Sequence, residues 1–378
     1  MSGMHIIVAP DSFKGTATAP EAAAGIAAGI REALPEAKVT TLALADGGEG
    51  TSEAVASVLA TAGHRIEKVT LPTVDALGRL TEATYYLDRD DNTAYIDVAA
   101  ASGLPAVADG PDALHSDTYG TGVLIADAES KGAKRIVLGL GGSATTDGGT
   151  GILTALGAAA HDSRGYALPK GGAPLVHLDH IDTVQLNMKA AMLDFVLLCD
   201  TRCTAARSAI MYGPQKGASQ QEVALLTGAL QRLCEVTGID PETESFGAAG
   251  AIPVGLTWVS ETLWGTRDHV AVRSGAEFIA DAMNLDDRLA TADLIITGEG
   301  GFDEQSLTGK VVGTIADKAA AAGVQLGVVA GRFDDSAELP AGTLSAELIS
   351  LRESESQPMP AQLRAAGKAI AKQLSARG

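Results

Sequence analysis

Three stretches of this chain set carboxylates among runs of glycine. Residues 45–51 read Ala-Asp-Gly-Gly-Glu-Gly-Thr, residues 139–149 read Gly-Leu-Gly-Gly-Ser-Ala-Thr-Thr-Asp-Gly-Gly, and residues 297–304 read Thr-Gly-Glu-Gly-Gly-Phe-Asp-Glu. Glycine permits backbone angles and close approaches that a side chain forbids. Carboxylate oxygens suit a hard divalent cation such as magnesium, or take a proton from a hydroxyl. Asp46 and Glu49 fit either role. In residues 139–149, successive backbone N–H groups backed by a helix N-terminus make a cradle for an anion. Residues 10–16 bring Asp11, Ser12 and Lys14 together beside Gly15. Cys199-Asp200 is followed by Tyr212-Gly213-Pro214-Gln215-Lys216-Gly217-Ala218, so Asp200 is placed to take a proton or hold a metal and Lys216 to neutralise a phosphate. Repeated acid–glycine loops point to a site that handles phosphate and a divalent cation. The reaction type stays open at this level.

These residues need elements to position them, and the chain supplies a regular set. Short β-branched runs at 6–9, 39–44, 66–70, 135–140, 194–199, 294–297 and 325–330 alternate with Ala-rich helical stretches. That rhythm predicts an α/β fold with mainly parallel strands, whose ligands bind beyond the carboxyl ends of the strands. Each reactive stretch follows one of these runs. Thr18 and Glu21 have capping-box spacing, with Pro20 in the first turn of the first helix. Residues 80–87 and 93–98 read instead as a β-hairpin joined by 88–92. The expected architecture is a discontinuous Rossmann-like domain of residues 1–75 and 290–378, with a second α/β domain of residues 76–289 inserted. A last helix is expected over 361–375.

Composition narrows the partners. The 378 residues carry a formal charge of −19, which argues against nucleic acid and anionic lipid because both need clustered cations. No apolar run approaches the length of a membrane span, and no basic leader precedes the first strand. Three cysteines suit a reducing compartment better than a disulfide framework, so a cytoplasmic protein is expected. The 46% apolar content suits a monomer or a homodimer. Residues 139–144 also fit the dinucleotide pattern G-x-G-x-x-A, with Asp162 as the acid further on, which would mean an NAD-dependent dehydrogenase. No G-x-x-x-x-G-K-[ST] loop occurs.

Taken together, the stretches resemble the type I glycerate kinase family over essentially the whole chain. The resemblance is carried by residues 10–15 (PDSFKG), 45–51 (ADGGEGT), 139–149 (GLGGSATTDGG), 213–218 (GPQKGA) and 297–300 (TGEG). Residues 96–104 and 119–122 look like two further blocks in the expected order. The resemblance implies transfer of the ATP γ-phosphoryl group to D-glycerate, giving 2-phosphoglycerate, with Mg2+. It also implies two α/β domains with the active site in the cleft between them. One stretch departs: residues 201–211 are shorter than expected after the Cys-Asp pair, and residues 247–250 keep only part of another glycine block.

On this resemblance the nucleotide falls to Gly141, Gly142, Ser143, Thr145, Asp147 and Gly298, and the metal to Asp46, Glu299 and Asp303. Asp11, Ser12, Glu49, Arg202 and Gln215 are expected at the substrate, where Arg202 and Arg207 can replace cations lost from the divergent stretch. Lys14 and Lys216 would offset phosphate and carboxylate charge. Asp200 is the first candidate for the base, and Asp46 the second. The rivals are a kinase of a related hydroxy acid, a member of the galactokinase–mevalonate group, a ligand-binding homologue without turnover, and the dehydrogenase.

Overall fold

The structure, a computed structural model, describes the chain except residues 1, 2, 14, 15, 43, 46, 305, 308, 309, 336, 353, 355 and 378. Lys14 and Asp46 therefore lie outside the described residues. The chain divides into two compact units, Met1–Asp46 with Ser274–Gly378, and Gly47–Arg273. The sequence rhythm sets these limits at 75 and 290 instead. The strand Ile66–Val74 and the helix Gly275–Ala282 thus sit on the other side of the division from where that rhythm puts them.

The first unit is built on five parallel strands in the order Leu344–Glu347, Gln325–Phe333, Leu294–Phe302, His5–Val8, Lys38–Thr41. Such strands are covered on both faces and carry continuous apolar runs, as residues 6–8 and 294–296 do. Ile6, Val8, Ile26, Ile30, Ile296 and Leu363 meet in its core. The helix Ala19–Ala33 begins on the expected capping box, in which Thr18 N donates to Glu21 Oε2 at 2.9 Å and Glu21 N donates to Thr18 Oγ1 at 3.4 Å. The last helix runs Met359–Arg377, slightly longer than expected.

The second unit holds a six-stranded mixed sheet, ordered Val270–Arg273, Asp194–Leu198, Arg135–Gly139, Thr93–Asp97, Leu80–Asp88, Ile66–Val74. The first four strands are mutually parallel, and the last two continue the sheet antiparallel. The hairpin is present, with Tyr86 opposite Tyr95 and Asp88 opposite Thr93. Tyr85, Leu87, Ile96, Leu124, Leu138, Ile152 and Phe195 form the core beneath. The parallel strands end at Asp97, Gly139, Leu198 and Arg273, which brings the stretches that follow them to one edge. Among the described residues, no helix is long and apolar enough to cross a membrane.

Candidate functional site

In the second unit, residues 139–149 leave the strand Arg135–Gly139 and fold under residues 47–51. Gly141 N donates to Gly47 O at 3.0 Å, and a β-carbon on Gly141 would lie 2.5 Å from Gly48 Cα. Only glycine permits that approach. The loop is stitched on its other side by Leu104 N to Gly142 O and Ala144 N to Ser102 O, both 2.9 Å. Gly142 is exposed at φ 75°, and neither its N–H nor that of Ser143 has a protein acceptor among the described residues. The loop thus offers two unused donors, one on exposed Gly142 and one on buried Ser143.

Lys216 forms the floor. It is 3% exposed, and its ammonium donates to Ser143 Oγ at 3.1 Å and to Thr145 O at 2.5 Å. An ammonium has three hydrogens, so one is left without a protein acceptor among the described residues. Burial pushes the Lys216 amine down to about 8, against the pull of the Asp147 carboxylate. The Thr145 and Thr146 hydroxyls beside it are buried without hydrogen-bond partners. Buried orphan hydroxyls are uncommon and mark a place where a ligand or water completes the bonding.

Asp147 points away from this rim. Its side chain is fully buried and accepts from Thr118 N (2.9 Å), Thr118 Oγ1 (2.8 Å), Gly151 N (3.0 Å) and Gly149 N (3.2 Å). Burial pushes its carboxyl group up, and these donors pull the other way. The N-terminus of the helix Thr150–Ala155 is therefore capped by the protein's own carboxylate, and is not the open anion site expected from the sequence. Asp97, which the residue-by-residue reading passed over, does the same one loop away. It accepts from Gly50 N (2.9 Å), Ser52 N (3.0 Å) and Ser52 Oγ (3.0 Å), and burial pushes it up to about 6. Both carboxylates position glycine loops. Replacing Asp147 by Ala strands four buried donor bonds and is expected to cost about 3 kcal/mol or more of stability, read as a lowered Tm.

Asp200 is half-buried just past the strand Asp194–Leu198, where Gly47 also lies close, its missing β-carbon 2.9 Å from Leu198 O. Glu49 and Gln215 are exposed, the first before the helix Thr51–Thr61 and the second in the turn Pro214–Lys216. Arg202 is exposed and pairs with Glu244 at 3.2 Å, a surface pair that holds little energy. The divergent residues 201–211 are largely the helix Ala205–Tyr212. Asp162, the acid of the dinucleotide pattern, is spent on Arg164 and Tyr166 in its own turn.

In the first unit, Asp11 meets Gly298. Asp11 is 8% exposed, its N–H donates to Gly298 O at 2.9 Å, and its Oδ1 accepts from Ser12 N at 2.6 Å. Residues 298–302 are not the loop the sequence suggests. They extend the strand Leu294–Phe302 and pair in register with Gln325–Phe333, Glu299 opposite Ala330. Gly298 is buried, and a β-carbon there would sit 2.1 Å from Val329 O, so this glycine serves strand packing. Glu299 and Asp303 are half-buried, and Asp303 is fixed by Ser306, whose N donates to Asp303 Oδ1 at 3.1 Å. One held carboxylate with a second half-buried in the adjoining strand is the donor type Mg2+ takes, since it uses one or two protein carboxylates and completes its shell with water and phosphate. Among the described residues, a group of three ligand-bearing side chains occurs elsewhere, at His64, Asp88 and Asp90, where Asp90 is held by Arg65.

The model of the glycerate kinase family matches residues 6–375. A glycerate kinase of Haemophilus influenzae is 37% identical over 317 residues, covering 81% of this chain and 80% of its own length. A glycerate 2-kinase of Escherichia coli K12 is 37% identical over 318 residues, covering 82% and 80%. A crystal structure from Salmonella typhimurium LT2, described as a glycerate kinase 2, superposes with a TM-score of 0.75 at 33% identity and covers 99% of each chain. The chain belongs to the glycerate kinase family, and is a kinase.

Proposed function

We propose that this protein transfers the γ-phosphoryl group of ATP to D-glycerate, with 2-phosphoglycerate and ADP as products. The observation that carries the reading is the loop of residues 139–149, with unspent N–H groups on Gly142 and Ser143 and the buried Lys216 ammonium bonded to Ser143 and Thr145. Phosphoryl transfer asks for position and charge more than for covalent chemistry, and this loop supplies both.

In the proposed step the substrate hydroxyl oxygen bonds to the γ-phosphorus while the bond from phosphorus to the β,γ-bridging oxygen breaks. ADP keeps that electron pair. The hydroxyl proton passes to a carboxylate, Asp200 by preference and Asp46 otherwise. Gly141, Gly142, Ser143 and Thr145 hold nucleotide phosphates, and Lys216 lies beneath them. Asp11, Ser12, Glu49, Gln215 and Arg202 are the proposed glycerate ligands, with Lys14 offsetting its charge. Mg2+ held by Glu299, Asp303 and Asp46 would supply charge neutralisation on phosphate oxygens.

The test is ADP release by purified protein with ATP, magnesium and D-glycerate, each omitted in turn. L-glycerate and glycerol serve as controls, and the product is identified by its phosphorus resonance. Turnover is expected only with all three present. ADP release that ignores glycerate, or a 3-phosphorylated product, would overturn the reading.

A further inference from the structure

Residues 247–250, which the phosphate reading leaves unused, lead into a backbone that alanine normally avoids. Ala249 (φ 50°, ψ 41°), Gly250 (φ 67°, ψ 35°) and Ala251 (φ 70°, ψ 30°) are three consecutive left-handed residues. An L-residue in that conformation crowds its β-carbon against the next carbonyl. Such strain persists only where the surroundings over-determine it, and it gathers at working sites.

The surroundings here are the glycine loop. Gly148 N donates to Gly250 O at 2.8 Å, and Gly255 N donates to Gly148 O at 3.1 Å. A β-carbon on Gly250 would lie 2.1 Å from Thr145 O and 2.5 Å from Thr146 Cα. Thr145 O is the oxygen that holds the Lys216 ammonium at 2.5 Å. The entry to the turn is fixed from the other side by the divergent stretch. Gly247 N donates to Cys203 O at 2.8 Å, and the buried Ser208 hydroxyl donates to Gly247 O at 2.7 Å. The two segments that depart most from the family pattern are thus in contact with each other, and the second is in contact with the phosphate loop.

We propose that the left-handed turn at 249–251 is a positioning element for nucleotide phosphate, fixing the Thr145 carbonyl against the Lys216 ammonium, with Ser208 as its brace. Ala249, Gly250, Ala251 and Ser208 act through the loop and touch no phosphate themselves. This inference rests on the phosphate reading above.

The experiment measures ADP binding by calorimetry below each variant's unfolding transition, with Tm recorded beside it. Gly250→Ala pushes the Thr145 carbonyl and is expected to weaken ADP binding about tenfold or more. The double variant Ala249→Gly/Ala251→Gly adds no atom and removes the strain. It is expected to hold or raise Tm and still weaken ADP binding, which separates positioning from folding. Ser208→Ala is expected to weaken binding alone and to add less in the Gly250→Ala background, as residues acting along one path do. ADP affinity unchanged in folded Gly250→Ala, or in the double variant should Gly250→Ala not fold, overturns the proposal while leaving the kinase reading intact. Wild-type protein that binds no ADP and shows no glycerate-dependent turnover takes down the phosphate reading, and this inference with it.

Discussion

Replacing Lys216 by Met is expected to lower turnover by roughly 10²–10³-fold, the scale of removing one preorganised donor from a charge-developing site. Met fills the same space in a position that is 3% exposed, so the fold keeps its packing and sheds a buried cation. Tm is expected to hold or rise, and the loss falls on ATP use. The pH dependence gives a second readout of this amine. The folded Lys216 amine titrates near 8, against an ordinary value of 10.5. Between those two values the unfolded chain binds more protons than the folded one, so this group makes the fold more stable as pH rises. Its ammonium is lost over the same rise, so phosphate affinity falls. Stability and kcat/KM for ATP therefore move in opposite directions above pH 8. Bound phosphate favours the charged amine, which places the alkaline limb of kcat higher than that of kcat/KM. Lys216→Met should abolish the limb near 8 in kcat/KM, and a limb that survives there unchanged would refute the assignment.

What could be read from the sequence was what local chemistry decides. Thr18 and Glu21 announce a helix start because both capping bonds are made within four residues. Residues 80–98 announce an antiparallel pair because alternation and a polar turn are local properties. The glycines at 139–149 announce the end of a strand and a loop beyond it for the same reason. What escaped the reading depends on partners distant in sequence. Asp147 looks like a ligand beside glycines, yet Thr118, an element away, turns it inward. Asp97 gains its role only when Gly50 and Ser52 reach it across the sheet edge. Gly298 to Gly301 read as loop because glycine disfavours strand, and the neighbouring strand Gln325–Phe333 overrides that preference by pairing with Gly298, Glu299, Gly301 and Phe302. Arg202 looks like a free cation until Glu244 is placed beside it. The left-handed alanines carry no sequence signal at all, since only Gly or Asn would advertise that backbone.

Replacing Asp200 by Asn is expected to cut kcat by about 10²–10⁴-fold, the range attributed to a positioned general base. Asn keeps the size and one acceptor oxygen, so ADP affinity and Tm are expected to stay near those of the parent protein. The expected signature is a fall in kcat and kcat/KM together with no change in KM for ATP, because the lost interaction exists only while the hydroxyl proton is moving. The position supports this role. Asp200 stands immediately past the end of the strand Asp194–Leu198, half-buried, where the Gly47 backbone closes over Leu198. A carboxylate so placed is partly withdrawn from water and keeps part of its surface exposed. Asp46 is the second candidate, and Asp46→Asn is the matched arm. Should Asp200→Asn keep turnover within a few-fold of the parent protein while Asp46→Asn loses it, the proton goes to Asp46. Should both raise the KM for magnesium without lowering kcat at saturation, the two acids hold the metal, and the loose transition state of phosphoryl transfer needs no strong base here.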